Sequence, residues 1–148
     1  MFSKKLIAID VAISNKNDAI DYLIDLAYRA GYLSNSEIFK AAVLEREASI
    51  STNVGLGVAI PHGKSQSVSD AFIAMIRPVN PIQWDDDSKD EAVGLIFLIG
   101  VSEDSDTLHL KYISEISKML IHADFRQKLH DAASIHEIYT LFTEKEHS

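Results

Sequence analysis

The chain has 148 residues, 47% hydrophobic and 24% charged, which suits one soluble domain able to bury about two thirds of its unfolded surface. Its 22 acidic residues against 14 basic ones give a formal net charge of −8, a field that repels nucleic-acid phosphates and anionic lipid and argues against nucleic acid as a partner. The absence of cysteine removes disulfides, thiolate metal sites and a cysteine nucleophile. The longest apolar stretch, residues 92–101, is about half of the roughly 20 residues a transmembrane helix needs. The opening Met1-Phe2-Ser3-Lys4-Lys5 lacks the apolar core and cleavage site of a signal peptide, so a cytoplasmic chain without membrane insertion is expected.

Residues 6–13 alternate Ile7, Ile9, Val11 and Ile13 with Ala8, Asp10 and Ala12, the period of two that places one face of a strand on a core. Asn15 is a candidate helix cap, Ile20, Leu23, Ile24 and Ala27 share one face, and Gly31 supplies a stop. Ser34 and Glu37 have capping-box spacing and predict a second helix to about residue 47. Residues 48–69 are small, polar and glycine-rich around the apolar run Val58-Ala59-Ile60, a loop, short strand, loop pattern. A strand over 71–79 ends where Pro78 and Pro81 deny the ladder its donors. Asp85, Asp86, Asp87, Asp90 and Glu91 read as an exposed acidic turn. Residues 93–101 are continuously apolar, as in a central strand buried on both faces.

After a polar connection at 102–106, Leu110, Ile113, Ile116, Met119 and Leu120 repeat at helical spacing. Asp124 is placed as the cap of a short helix carrying Phe125 and Leu129, and Ser134 with Glu137 repeats the capping-box spacing before a last helix. The order strand, helix, helix, strands, helices describes a single α/β domain over 1–148, with a central mixed sheet flanked by helices and a hairpin between the two long strands.

Six histidines carry most of the chemistry the chain offers. His122, His130, His136 and His147 sit among charged residues in the helical C-terminal third and take no role. No pair stands at i and i+4 with a nearby carboxylate, so no metal site is read. Lys64-Ser65 follows Gly63 without the earlier glycine of a phosphate loop, and a nucleotide site of that kind is rejected. His62 is the candidate, because Pro61 and Gly63 bracket it where the backbone leaves a short buried strand and a side chain can face a cleft. A packed or surface-loop imidazole is the commoner alternative for such a residue.

The run Ser51-Thr52-Asn53-Val54-Gly55-Leu56-Gly57-Val58-Ala59-Ile60-Pro61-His62-Gly63-Lys64 resembles the signature of enzyme IIA components of the fructose and mannitol class of the bacterial phosphoenolpyruvate-dependent sugar phosphotransferase system. Leu44-Glu45-Arg46-Glu47, Pro81-Ile82-Gln83-Trp84, Leu95-Ile96-Phe97-Leu98-Ile99 and Leu108-His109-Leu110 extend the likeness over nearly the whole chain, closest to fructose-type members. The resemblance implies a phosphoryl relay: His62 accepts a phosphoryl group from phosphohistidine on the carrier protein HPr, and a cysteine of enzyme IIB, which works with membrane-bound IIC, receives it. It implies that Arg46 is the site arginine, whose planar fork binds two phosphoryl oxygens. His109 matches the family's second histidine at a helix start, where free N–H groups favour a phosphate. Ser51 and Thr52 are further candidate hydroxyl donors, and no cofactor or metal is implied. Taken alone, Arg46 reads as a surface arginine near a helix end and His109 as a capping-region histidine. Leu56 stands where mannitol-type members carry a glutamate, so no carboxylate orients His62 from there. A nitrogen-regulatory IIA protein, acting by phosphorylation-dependent protein binding, is the alternative of the same fold.

Overall fold

Seven consecutive residues with no exposed side chain, Leu95–Val101, form the strand around which the rest of the chain is arranged. In a computed structural model that describes residues 1–86 and 91–147, a 3-10 turn at Lys4–Leu6 is followed by β1 (Ile7–Val11), α1 (Lys16–Arg29), α2 (Ser36–Ser49), β2 (Asn53–Gly55), β3 (Val58–Ala59), β4 (His62–Lys64), β5 (Phe72–Pro78), β6 (Leu95–Val101), α3 (Leu108–Leu120), α4 (Ala123–Asp131) and α5 (Ile135–Glu146). The strands form one mixed sheet in the order β1-β5-β6-β3-β2, with β4 also pairing to β6. β5 and β6 are antiparallel, as the two long apolar runs predict, while β1 lies parallel to β5, and β3 and β4 lie parallel to β6.

The period-two geometry of β6 sends alternate side chains to two cores. Ile96 and Leu98 join Ile20, Leu23, Phe39, Val43 and Trp84 beneath α1 and α2. Leu95, Phe97, Ile99 and Val101 join Ile116, Leu120, Leu129 and Phe142 beneath α3, α4 and α5. Three layers result, and each long strand side chain buried in this way contributes on the order of 1.5–3 kcal/mol. Among the described residues, no helix is long and apolar enough to cross a membrane.

Several local expectations hold. Asn15 caps α1 through a bond from Asp18 N–H at 2.9 Å, and Ser134 caps α5 through one from Glu137 N–H at 3.1 Å. Gly31, at φ 89°, takes the left-handed position that ends α1. Others need correction. The predicted box at Ser34 and Glu37 is not formed: Asn35 Oδ1 caps α2 by accepting from Ile38 N–H, and the Ser34 hydroxyl donates across the chain to the Ser67 carbonyl. A cross-chain acceptor outcompetes the local one, and α2 starts one residue later. Asp124 lies inside the first turn of α4, behind His122, and does not cap it. Of the acidic turn, Asp86 and Glu91 are exposed, but Asp85 is half-buried and paired with Lys16 Nζ at 3.2 Å. Asp87 and Asp90 lie outside the described residues.

Candidate functional site

Pro61 breaks the backbone between β3 and β4, yet both lie along the same side of β6: Val58 and Ala59 pair with Leu95 and Ile96, then His62, Gly63 and Lys64 with Ile99, Gly100 and Val101. His62 therefore stands on a strand, where a loop is expected from the glycines and polar residues around it. The ladder is kept because β6 is long enough to offer partners on both sides of the proline, and Pro61 itself accepts from Ile99 N–H at 3.0 Å. Gly63 brings α2 close. A Cβ there would meet Val43 Cγ2 at 3.0 Å and Val43 N at 3.3 Å, so the absent side chain lets the helix carrying Arg46 lie against the strand carrying His62.

A cleft of about 430 Å³ results, lined by Ala42, Glu45, Arg46 and Ser49 of α2, by all three residues of β4 and by His109 of α3. His62 is 9% exposed. Its Nδ1 lies 3.0 Å from the Ile60 carbonyl oxygen. A carbonyl only accepts, so Nδ1 carries the hydrogen and Nε2 keeps a free lone pair. Leu56, the position without the glutamate of mannitol-type members, lies on the turn between β2 and β3 with its side chain exposed; a backbone oxygen orients the ring instead. Burial lowers the His62 pKa below the usual imidazole value and Arg46 lowers it further, against the opposing pull of the Ile60 bond and Glu47. The ring is neutral at neutral pH and nucleophilic.

His109 occupies the second position of α3, whose N-cap Thr107 makes no side-chain cap bond, so first-turn N–H groups remain available beside it. The His62 and His109 ring centroids are 6.1 Å apart. Burial, then Lys64 and His62, lowers the His109 pKa, and its Nδ1 is a buried atom with no hydrogen-bond partner among the described residues. Arg46 donates from Nη1 to the Ile50 carbonyl at 2.6 Å, which covers a helix-end carbonyl and leaves Nε and Nη2 for a ligand. His62, His109 and Arg46 thus share one cleft.

Ser51 and Thr52 do not join them. The Ser51 hydroxyl donates to Asp85 Oδ2 at 2.7 Å and the Thr52 hydroxyl to Glu47 Oε1 at 2.5 Å, and neither residue lines the cleft. The residue that sequence reasoning leaves without a role is Glu47. It is 7% exposed and receives bonds from Thr52, and from Trp84 Nε1–H at 3.1 Å. A signal for it exists: Phe39, Val43 and Glu47 stand at i, i+4 and i+8, one helix face, and they are the buried residues of α2. A carboxylate on an apolar stripe requires buried donors.

The mixed six-stranded sheet with helices on both faces is a fold this chain shares with solved phosphotransferase-system IIA proteins. The nitrogen regulatory protein IIA-Ntr of Neisseria meningitidis superposes with a TM-score of 0.83 at 29% identity, over 94% of each chain. The IIA mannitol protein of Escherichia coli superposes with a TM-score of 0.82 at 19% identity, over 95% of this chain and 98% of that one, a likeness of fold alone. In sequence, the "PTS system fructose-specific EIIA component" of Haloferax volcanii is 34% identical over 140 residues, 95% of this chain and 90% of that protein. The "PTS system fructose-specific EIIABC component" of Bacillus subtilis is 31% identical over 135 residues, which span 90% of this chain but 21% of that longer protein. Residues 1–145 match the family described as "Phosphoenolpyruvate-dependent sugar phosphotransferase system, EIIA 2", and the chain belongs to it.

Proposed function

We propose that this chain is a cytoplasmic histidine phosphocarrier for sugar uptake, fructose-type in specificity, which accepts a phosphoryl group from phosphohistidine of HPr on His62 and gives it to a cysteine of enzyme IIB working with membrane-bound IIC. The observation that carries this reading is the Nδ1–H bond from His62 to the Ile60 carbonyl, which frees Nε2 in a cleft shared with Arg46 and His109. In the first step the Nε2 lone pair attacks phosphorus, the P–N bond of the donor breaks, and the donor imidazole keeps the electron pair. In the second step a cysteine thiolate attacks the same phosphorus and the electron pair of the P–N bond returns to Nε2. No general base is needed, since the attacking nitrogen is already unprotonated.

Phosphoryl transfer rests on positioning and on neutralising charge at the equatorial oxygens. The free N–H groups of Arg46 supply a planar fork for two of them, and His109 with the first turn of α3 supplies further donors in the same cleft. Support for fructose comes from the names of the Haloferax and Bacillus relatives. Support for the acceptor comes from an Escherichia coli structure described as a complex of enzyme IIA mannitol with phosphorylated enzyme IIB mannitol, whose fold this chain shares at a TM-score of 0.84 over 97% of its length.

The test is intact mass after incubation with phosphoenolpyruvate, enzyme I and HPr. One acid-labile phosphoryl adduct is expected on the wild type and none on His62→Ala; an adduct retained by that variant sinks the assignment. The likeness to the Neisseria IIA-Ntr structure favours a second reading, regulation by phosphorylation-dependent protein binding. A phosphorylated chain that discharges to no IIB cysteine would favour that reading.

A further inference from the structure

The bonds around Glu47 do not stop at Glu47. Its Oε2 accepts from Thr52 N–H at 2.9 Å and its Oε1 from the Thr52 hydroxyl. The Thr52 carbonyl accepts from Ile60 N–H at 3.0 Å, and the carbonyl of the same Ile60 accepts from His62 Nδ1–H at 3.0 Å. The carboxylate itself is fixed from behind by Trp84 Nε1–H at 3.1 Å and by Lys16 Nζ at 3.6 Å. Between Glu47 and Thr52 lies Ile50, whose carbonyl holds the Arg46 guanidinium. Two branches therefore leave one buried carboxylate, one ending on the His62 ring and the other on Arg46.

Resting on the reading of His62 as phosphoryl acceptor, we propose that Glu47 is a positioning residue for that reaction: through Thr52 and Ile60 it holds the His62 ring in the Nδ1–H tautomer, and through the turn at 50–52 it holds Arg46 beside it. Thr52 is then a link in the support of the site and not a ligand of the phosphoryl group. An imidazole whose hydrogen moves to Nε2 has no lone pair there to attack phosphorus, so loosening the Ile60 carbonyl lowers the fraction of competent rings without changing the surface a donor protein meets.

The test compares Glu47→Gln, Thr52→Val and Thr52→Ser with the wild type in the full chain. Two measurements are made: ¹H–¹⁵N NMR of the imidazole nitrogens, and single-turnover transfer from phosphorylated HPr. Glutamine leaves one acceptor oxygen for the donors of Thr52 and Trp84. The Nε2–H signal of His62 is expected to appear, and the saturating transfer rate to fall about 10- to 100-fold, with the half-saturating HPr concentration within roughly twofold of wild type. Thr52→Val should move both readouts the same way by less, and Thr52→Ser, which keeps the hydroxyl, should recover part of the loss. A folded Glu47→Gln chain with wild-type tautomer and wild-type rate overturns the proposal. Should that variant fail to fold, the Thr52 pair decides: equal tautomer signals in the valine and serine variants overturn it. The tautomer is read without any donor, so a wild type that accepts no phosphoryl group would defeat the proposed function while the hold of Glu47 on His62 is still decided.

Discussion

Arg77 and Glu47 are the two strongly buried charges of the described chain, at 9% and 7% exposure, and they lie on opposite faces of the sheet. Arg77 points from β5 to the end of α4, where Nη1 donates to the carbonyls of Leu129, His130 and Ala132, and Nη2 donates to Asp10. It satisfies the orphan carbonyls of a helix that ends inside the protein. Glu47 is satisfied as fully, by Thr52, Trp84 and Lys16, but its partners continue through Ile60 to His62. The same physical demand, that a buried charge find its donors or acceptors, closes a helix on one face and reaches a nucleophile on the other. What separates a stabilising charge from a functional one is where its partners lead.

Removing each side chain tests that contrast. Arg77→Met strands two buried carbonyls and a part-buried one and is expected to cost roughly 3 kcal/mol of stability in urea unfolding, with the His62 ring signals and phosphoryl transfer of the folded fraction unchanged. Movement of the His62 signals in that variant would break the distinction. Arg46→Lys keeps the charge but loses the fork, so transfer should fall about tenfold, some 1.4 kcal/mol, while stability changes by less than about 1 kcal/mol.

Acid sharpens the comparison, because each arginine has near it a histidine whose pKa is lowered. Burial first, then Arg77, lowers the His130 pKa, as burial first lowers those of His62 and His109. The unfolded chain, with ordinary imidazoles near pH 6.5, binds more protons than the folded one on the acid side. Stability is therefore fully present above that pH and is lost as pH falls through the depressed folded values. Melting temperature should drop between pH 7 and pH 5, and His130→Gln should blunt the drop without altering transfer. The smallest effect is expected from Asp85→Asn. Its ion pair with Lys16 is partly exposed, so thermal unfolding should register less than about 1 kcal/mol.

Much of this was legible in residue order because it depends on near neighbours. The unbroken apolar run of β6, the Asn15 and Ser134 caps and the hairpin of β5 and β6 are local patterns; Arg46 and His109, which line one cleft with His62, are grouped with it only by the family resemblance, since neither stands out in its own neighbourhood. Apart from Asp124, which falls in the first turn of α4 instead of at its cap, the failures are long-range. Ser67 diverts Ser34 from its box across 33 positions. β6 makes a strand of His62–Lys64, three residues whose own preferences are for a loop. The carboxylate of Glu47 meets an indole 37 positions away. Hydroxyls near a signature histidine suggest ligands until the carboxylates they bond, Asp85 and Glu47, are in view, and that requires the third dimension.

The parallel pairing of β1 with β5, Ile7 against Met75, joins residues separated by nearly half the chain, whereas β5 and β6 meet as a hairpin. Loop-closure entropy makes the hairpin the cheaper nucleus and the β1 pairing the later event. On a ribosome, the first strand to emerge would wait for the fifth, its partner β5, so the order of synthesis and the order of folding run opposite ways. Core substitutions in β6 should slow refolding, and those in β1 should mainly speed unfolding.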